Sequence, residues 1–427
     1  MCTHENIKEG IVQDLKRGMA AGICVLSFLF FSSISAYAED AFVLPKGVMG
    51  TNAEFFYYFP INERYDPDGD VEDVAVDYNP TLDSRVFPGL ALVEQFFKMP
   101  SGSANVGRSV VSFDIELKAL EVTVAYGITD RLSAGIKIPY RWAKTDVDSK
   151  LNTSKATVGK NVPLNNLTPL AVPGTVPLTK RDVIDLLGKG LDINGDGTLE
   201  IQGFGYDRFG TYSHNGLGDI EIGAKYQYFK TEKWRLAVTA GMRFPSGERD
   251  DPNNLVDYHL GNGVYAIFFT VHNDYTGIKN LLLNASFKYD IQLPDEEKLR
   301  VPADVSLPIT RDEEKVDRDV GDVGELEFLG RYTLAKGFDT TLLYRYGFKQ
   351  KDSVSGDKGY AYESLEEETD YTEHIFIARL TYSTLPLYME KKFPVPLSTT
   401  LSYRNRFAGS NNALKSEYVS LALQVFF

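Results

Sequence analysis

Tyr418-Val-Ser-Leu-Ala-Leu-Gln-Val-Phe-Phe427 is the stretch that decides the fold. Val419, Leu421, Leu423, Val425 and Phe427 fall on one side of it, and Tyr418, Ser420, Ala422, Gln424 and Phe426 on the other. A period of two over about ten positions is the period and length of a tilted membrane strand. An aromatic last residue on such a strand is the kind of end read by the bacterial barrel-assembly machinery. The strand is expected to pair with the first one, because a barrel in lipid tolerates no open edge.

Working back from this end, the same alternation recurs. Leu132, Ala134, Ile136, Ile138, Tyr140 and Trp142 oppose Ser133, Gly135, Lys137, Pro139 and Arg141. Ile220, Ile222, Ala224, Tyr226 and Tyr228 oppose Asp219, Glu221, Gly223, Lys225 and Gln227. Residues 281–293 do the same, with Asn284, Ser286, Lys288, Asp290 and Gln292 on the polar face. Tyr140/Trp142, Tyr226/Tyr228 and Tyr344/Tyr346 end apolar faces as interfacial girdles do. Twelve strands are expected, near 48–59, 109–126, 131–143, 218–229, 235–245, 263–272, 281–293, 322–333, 338–349, 372–383, 395–407 and 415–427. The second changes hydrophobic phase near Lys118 to Leu120, for which a bulge is the simplest account.

The connections alternate in length. Gly127–Asp130, Lys230–Lys233 and Leu334–Gly337 are tight turns, and Asn273–Asn280 and Thr384–Pro394 only somewhat longer. Between them lie the polar segments 60–108, 144–217, 246–262, 294–321 and 350–371. Short periplasmic turns and long extracellular loops mark a transmembrane antiparallel up-and-down β-barrel, all-β and one domain over 39–427. Residues 1–38 read as an export signal: Lys16 and Arg17, an apolar run from Met19 to Ile34, then Ala36-Tyr37-Ala38. Both cysteines, Cys2 and Cys24, fall inside it, which excludes disulfides and thiol chemistry from the mature chain. The expected location is the outer membrane of a Gram-negative cell, among its lipids and lipopolysaccharide.

Function is less legible. The interior face is expected to carry Lys137, Arg141, Glu221, Lys225, Arg243, Glu325, Glu327, Arg331, Arg345, Arg404 and Arg406, together with Asp114, Glu116, Lys118, Arg235, Lys288 and Asp290. Such charges either line a solute path or pair across strands and fill the barrel. Twelve strands give a lumen between the filled eight-stranded barrel and the open porin. The net charge of −14 concentrates in outer segments such as Asp295-Glu-Glu297, Asp312-Glu-Glu314 and Glu366-Glu-Glu368, which disfavours nucleic acid as a partner. Asp192-Ile-Asn-Gly-Asp-Gly-Thr-Leu-Glu200 has the oxygen spacing of a calcium loop: Asp192, Asn194 and Asp196 at positions 1, 3 and 5, Gly197 at the turn, and the Thr198 carbonyl at 7. Gly203 stands at position 12, where a bidentate Glu is usual, so Glu200 or Asp207 would have to compensate. Asn-Gly-Asp-Gly is equally good turn sequence. The histidines His214, His259, His272 and His374 lie in no recognisable nucleophile pattern, so no enzyme and no required cofactor is expected.

Three stretches together resemble a known family: Ala125–Tyr140, Gly216–Tyr226 and Gly241–Asp250. They are similar to outer-membrane proteins assigned to the phenol meta-cleavage degradation pathway. The resemblance implies a transporter-like barrel, distantly akin to the long-chain fatty-acid and aromatic-hydrocarbon channels, with a small hydrophobic or aromatic solute and no family site residues to carry over. The chain departs from the fatty-acid channels in strand number. Its segment before the first strand, Glu39–Gly47, is too short for their inserted plug, which speaks against a hydrophobic substrate. Two functions stay open: a passive channel for small molecules, and a non-conducting structural or surface-binding barrel that works through its extracellular loops.

Overall fold

The computed structural model describes residues 40–305, 307 and 309–427; the export signal read at 1–38 lies outside them. Twelve antiparallel strands close on themselves: β1 (Met49–Tyr58), β2 (Asn105–Thr129), β3 (Leu132–Asn152), β4 (Ile220–Lys230), β5 (Trp234–Phe244), β6 (Ala266–Ile278), β7 (Leu281–Gln292), β8 (Val323–Ala335), β9 (Phe338–Lys349), β10 (Tyr371–Ser383), β11 (Leu397–Gly409) and β12 (Glu417–Phe426). Each pairs with its sequence neighbours, and β12 pairs with β1 from Gly50↔Phe426 to Tyr58↔Tyr418. The last residue completes the seam, its amide donating to the Met49 carbonyl at 2.8 Å. The closed ladder pairs the backbone of the wall without a helix, which is what lipid demands.

The outer face is the one the alternation predicts. Ile222, Phe269, Leu283, Phe328, Leu342, Leu380, Leu401 and Leu421 all project outward and are exposed. Trp142, Tyr226 and Tyr228 stand at the edges of this band, and Tyr140 packs on Trp142 edge to face at 4.7 Å.

Two strands exceed the membrane. β2 has 25 residues and β3 has 21, against about 9–11 needed to cross. This corrects the bulge expected near Lys118. The β1–β2 and β2–β3 registers run through Lys118, Ala119 and Leu120 without a shift. The side chains keep alternating; the surroundings change. In the lower part Glu121 and Thr123 face in while Val122 and Val124 face lipid. Higher up, Phe113, Ile115 and Leu117 are the buried ones, and Asp114, Glu116 and Lys118 face outward into water. These three charges are therefore not in the lumen, and Glu116 pairs on the outside with Lys144 of β3 at 3.8 Å. Two further boundaries move. β3 runs to Asn152, so the second outer loop starts later than 144, and β6 runs to Ile278 through most of the expected turn.

The outer loops are L1 (59–104), L2 (153–219), L3 (245–265), L4 (293–322), L5 (350–370) and the short L6 (410–416). They have a core of their own. In L1, α1 (Gly89–Phe97) buries Leu90 and Val93. In L2, α2 (Lys180–Leu187) starts at a capping box, Thr179 Oγ1 accepting from the Asp182 amide at 3.2 Å and Asp182 accepting from the Thr179 amide at 2.7 Å. Both helices pack into one apolar cluster with Leu82, Phe87, Val158, Leu167, Leu191 and Tyr206.

Candidate functional site: the barrel interior

Toward the outer ends of β4 to β11 the inward side chains form a belt of ion pairs. Arg243 of β5 is the hub. Its Nε donates to Glu221 Oε1 at 3.0 Å, and its Nη2 to Asp290 Oδ2 at 2.5 Å. Lys137 Nζ lies 3.1 Å from Glu221, and Lys288 Nζ 3.2 Å from Asp290. Beyond β7 the chain of pairs continues through Arg345 with Glu327 at 2.5 Å and Glu325 at 3.7 Å. Further round, Arg406 meets Glu373 at 2.6 Å, and Arg404 donates to Ser416 Oγ at 3.0 Å beside the Tyr418 ring. Of the charged residues expected inside, Lys137, Arg141, Glu221, Lys225, Arg243, Glu325, Glu327, Arg331, Arg345, Arg404 and Arg406 project inward, whereas Asp114, Glu116 and Lys118 do not. The partners of the inward residues are one another, the loops and the N-terminal segment. Below the belt on the β8–β10 side, Leu329, Leu343, Ile375 and Ile377 pack together as a small buried apolar patch.

The outer mouth is stoppered. L3 dips into it and places Val256, Tyr258 and Leu260 at 0–2 % exposure against Phe56, Tyr58, Phe113, Ile115, Leu117 and Ala143 of the wall, with Ile61, Val74 and Ala75 of L1 beside them. Asp219, at the top of β4, holds both legs of L3, accepting from the amides of Gly247 at 3.0 Å and Asn262 at 2.6 Å. Arg141 caps the Leu260 carbonyl at 2.5 Å. Burial holds the His259 imidazole well below its ordinary range, at about 3, with repulsion from Arg141 and Arg318 adding to it. His259 is thus a neutral, stacked part of the stopper, its ring at 9° to that of Tyr258. This element was missed because residues 246–262 read as a polar loop. The signal was there: Val256, Tyr258 and Leu260 alternate with Asp257 and His259 at the period of a strand.

The inner mouth holds a second feature that corrects the sequence reading. Residues 40–46, thought too short to enter the barrel, lie inside it as an extended strap. Seven extended residues reach roughly 23 Å, enough to cross the mouth. The Ala41 amide donates to Asp274 at 3.0 Å, its carbonyl accepts from Gln227 at 2.6 Å, and the Asp40 carbonyl accepts from Lys225 at 2.7 Å. Arg331 pairs with the Asp40 carboxylate at 3.1 Å, and the Leu44 amide reaches Ser133 at 2.8 Å. The strap favours the β3–β6 side. Opposite it a polar cavity of about 340 Å³ remains, edged by Asp40 and Phe42 and lined by Arg331, Thr341, Arg379, Thr381, Thr400 and Ser402.

Outside the barrel, the 192–200 loop folds as its sequence suggests. Asp192 accepts from the amides of Gly195 at 2.7 Å and Gly197 at 2.8 Å, Asn194 from Asp196 at 2.8 Å, and Asp196 from Thr198 at 2.8 Å. The Thr198 bond and the others to Asp196 hold its carboxyl below the usual range. Carboxylate oxygens of Asp192, Asp196 and Glu200 lie within 4.8 Å of one another, which suits a hard cation. Glu200 also accepts from the Ile193 amide and from Asn165. Asp207 is drawn away, its amide bonded to the Asn253 carbonyl at 2.8 Å. Of the histidines, His272 bonds Thr239 and His374 bonds Tyr344, while His214 Nδ1 lies 3.4 Å from Asp257. Ser213 neighbours His214 on one strand, so the two side chains point to opposite faces and cannot act as nucleophile and base.

Comparison with known proteins gives a fold and a likeness to one family. No curated protein sequence matches the chain. An outer membrane channel from Pseudomonas putida F1 superposes over 92 % of this chain and 100 % of its own, with a TM-score of 0.51 at 10 % identity. A Pseudomonas aeruginosa homologue of the fatty-acid channel covers 96 % and 97 % at 10 % identity, and a toluene transporter from Ralstonia pickettii 90 % and 90 % at 10 % identity, each with a TM-score of 0.33. The first likeness is one of fold, that of an outer-membrane barrel. A family model matches residues 182–381, a span that holds the second and third of the stretches whose resemblance was noted and leaves Ala125–Tyr140 outside. The chain is an outer-membrane β-barrel that over those residues is similar to the family described as "Putative MetA-pathway of phenol degradation".

Proposed function

We propose that the protein lets small hydrophobic or aromatic molecules cross the outer membrane passively. One observation carries this reading: along β1 and the extended part of β2 the outer end of the barrel is apolar within. Phe56, Tyr58, Phe113, Ile115 and Leu117 face inward there. Above them an apolar chamber of about 130 Å³ opens among Leu82, Val86, Phe87, Val111, Leu187 and Leu255. A sugar entering this region would lose its hydration and find few polar partners. A monoaromatic molecule gains about 25 cal/mol for each Å² it removes from water. The shortness of the N-terminal segment ceases to argue against such a solute, since the segment does reach the lumen. The solute, the surrounding lipids and lipopolysaccharide, and the assembly machinery at the closing strand are the partners this reading implies.

The test is transport into proteoliposomes. Toluene or phenol should equilibrate faster through protein-bearing vesicles than through lipid alone, while sugar-driven swelling stays near background. Fast sugar permeation without any gain for the aromatic would sink the proposal. Neither permeating would favour the non-conducting, surface-binding barrel, whose support is the paired charge belt.

We propose also that calcium seats in the 192–200 loop and braces L2. The convergence of Asp192, Asp196 and Glu200 supports this. Calcium should slow proteolysis of L2 several-fold and chelator should reverse it, with both effects gone in Asp192→Ala/Asp196→Ala. Equal cleavage with and without calcium rules the site out.

A further inference from the structure

The inner rim of the barrel is basic, although the chain as a whole carries a net charge of −14. Every turn on that side presents an exposed basic side chain: Arg131, Lys233, Lys279, Lys336, and Lys391 with Lys392. One of these turns differs from the rest. Residues 384–396, between β10 and β11, are far longer than a reversal needs, and they open with one turn of helix, α3 (Leu385–Met389). The segment is pinned at its base. Thr384 is buried there, its amide donating to the Leu397 carbonyl at 2.8 Å and its hydroxyl to the Val395 carbonyl at 2.7 Å. Past the end of α3 the Lys391 amide donates to the Tyr388 carbonyl at 2.8 Å, and Lys391 has a φ of 60°. That is a left-handed helix end, where glycine is the easy residue and a lysine stands. Glu390 accepts from Lys336 of the neighbouring β8–β9 turn and lies 3.0 Å from Lys392. Across these two turns it is a single acid facing Lys336, Lys391 and Lys392.

The rest of the segment is apolar and uncovered. Met389 is 75 % exposed, and Leu385, Tyr388, Phe393 and Val395 are exposed with it, as is Leu334 at the end of β8. Such a patch needs a partner. It runs on from the lipid-facing band, whose last members on β10 are Leu380 and Tyr382. Apolar and aromatic side chains with lysines beside them are the pattern of a segment that lies in a membrane interface. We propose that residues 384–396 dock anionic phospholipid of the inner leaflet, their apolar side chains among the acyl chains and Lys391 and Lys392 at the headgroup phosphate. The occupant is a lipid because the patch continues a surface that already faces lipid. It is anionic because the lysines outnumber the one acid beside them. The site is independent of what passes through the lumen.

The test titrates the mature barrel in detergent with dioleoylphosphatidylglycerol or the zwitterionic dioleoylphosphatidylcholine and reads bound lipid by native mass spectrometry. The native protein should bind the anionic lipid about tenfold more tightly, and salt should erode the preference. Lys391→Gln/Lys392→Gln should remove most of that preference and leave the zwitterionic lipid bound as before. Lys298→Gln/Lys315→Gln, an equal loss of exposed charge in L4, is the control and should match the native protein. Equal binding of the two lipids by the native protein overturns the proposal, and so does a preference that survives in the inner-turn variant. Displacement of the lipid by millimolar inorganic phosphate would make this a plain anion site and overturns the docking as well. A second readout places the segment. A nitroxide carried by Met389→Cys in phosphatidylglycerol vesicles should be relaxed more strongly by oxygen than by a water-soluble nickel chelate. The reverse order would put the segment in the periplasm, overturning the lipid site in favour of a periplasmic protein as its occupant.

Discussion

Arg243→Ala is expected to cost the barrel about 3 kcal/mol of folding stability. The guanidinium is 5 % exposed and joins Glu221 on β4 to Asp290 on β7, reaching past β6, where Phe268 fills the space beneath it. Removing one partner from a buried ion network strands the others, and two carboxylates are stranded here. Each keeps a lysine, Lys137 at 3.1 Å and Lys288 at 3.2 Å, so the loss should sit at the lower end of the range for buried pairs. Urea unfolding from lipid vesicles reads the change. A double-mutant cycle with Glu221→Ala should return a coupling of about 1–3 kcal/mol. A loss below about 1 kcal/mol would mean the belt is bathed in water, as exposed pairs are. That result would reopen this part of the barrel to hydrophilic solutes and weaken the argument for an apolar cargo.

The distinction matters because sequence could not make it. Alternation told which side of each strand faces in, and it placed Arg243, Glu221 and Asp290 on the same interior. It could not tell water from protein as the neighbour of that face. Phe113, Ile115 and Leu117 show the limit well. Apolar residues on the lumen side of β2 look like a slipped phase if the lumen is assumed wet and every strand is assumed to stop at the membrane. Both assumptions fail, since β2 continues upward and L3 arrives from more than a hundred residues later to cover it. The strap escaped for a related reason. Ala41-Phe-Val-Leu44 is apolar, but seven residues carry no pattern of their own, and their partners Lys225, Gln227, Asp274 and Arg331 come from three distant strands. Where a contact is set by the strand ladder it was legible. Where a loop or terminus folds back on the ladder, only its apolar alternation hinted at burial, and the partner was not readable.

Gly261→Ala should unseat the stopper and raise single-channel conductance by about tenfold, whereas deletion of residues 40–46 should raise it only about twofold. The two closures act in series, so the tighter one limits the current, and they differ in kind. The strap crosses one side of the inner mouth and leaves the 340 Å³ cavity beside it open to water. L3 instead fills the outer mouth with dry apolar side chains, and an ion entering there would shed its hydration at a cost of several kcal/mol. The weak point of L3 is where its legs cross. Gly247 and Gly261 meet back to back, and a Cβ on Gly261 would stand 2.2 Å from Asp219 Oδ1 and 2.9 Å from the Gly247 Cα. The carboxylate cannot retreat, because it holds the Gly247 and Asn262 amides that define the crossing. The added methyl must therefore push one leg out and take Tyr258 and Leu260 with it. The contact touches the wall only at Asp219, just before β4, and no strand pairing depends on it, so the variant should still migrate as a folded barrel on unheated gels. Limited proteolysis then separates the outcomes. Cleavage within 250–260 together with open-channel steps is the expected result. Cleavage there with native conductance would show that the charge belt around Arg243, and not L3, is the seal.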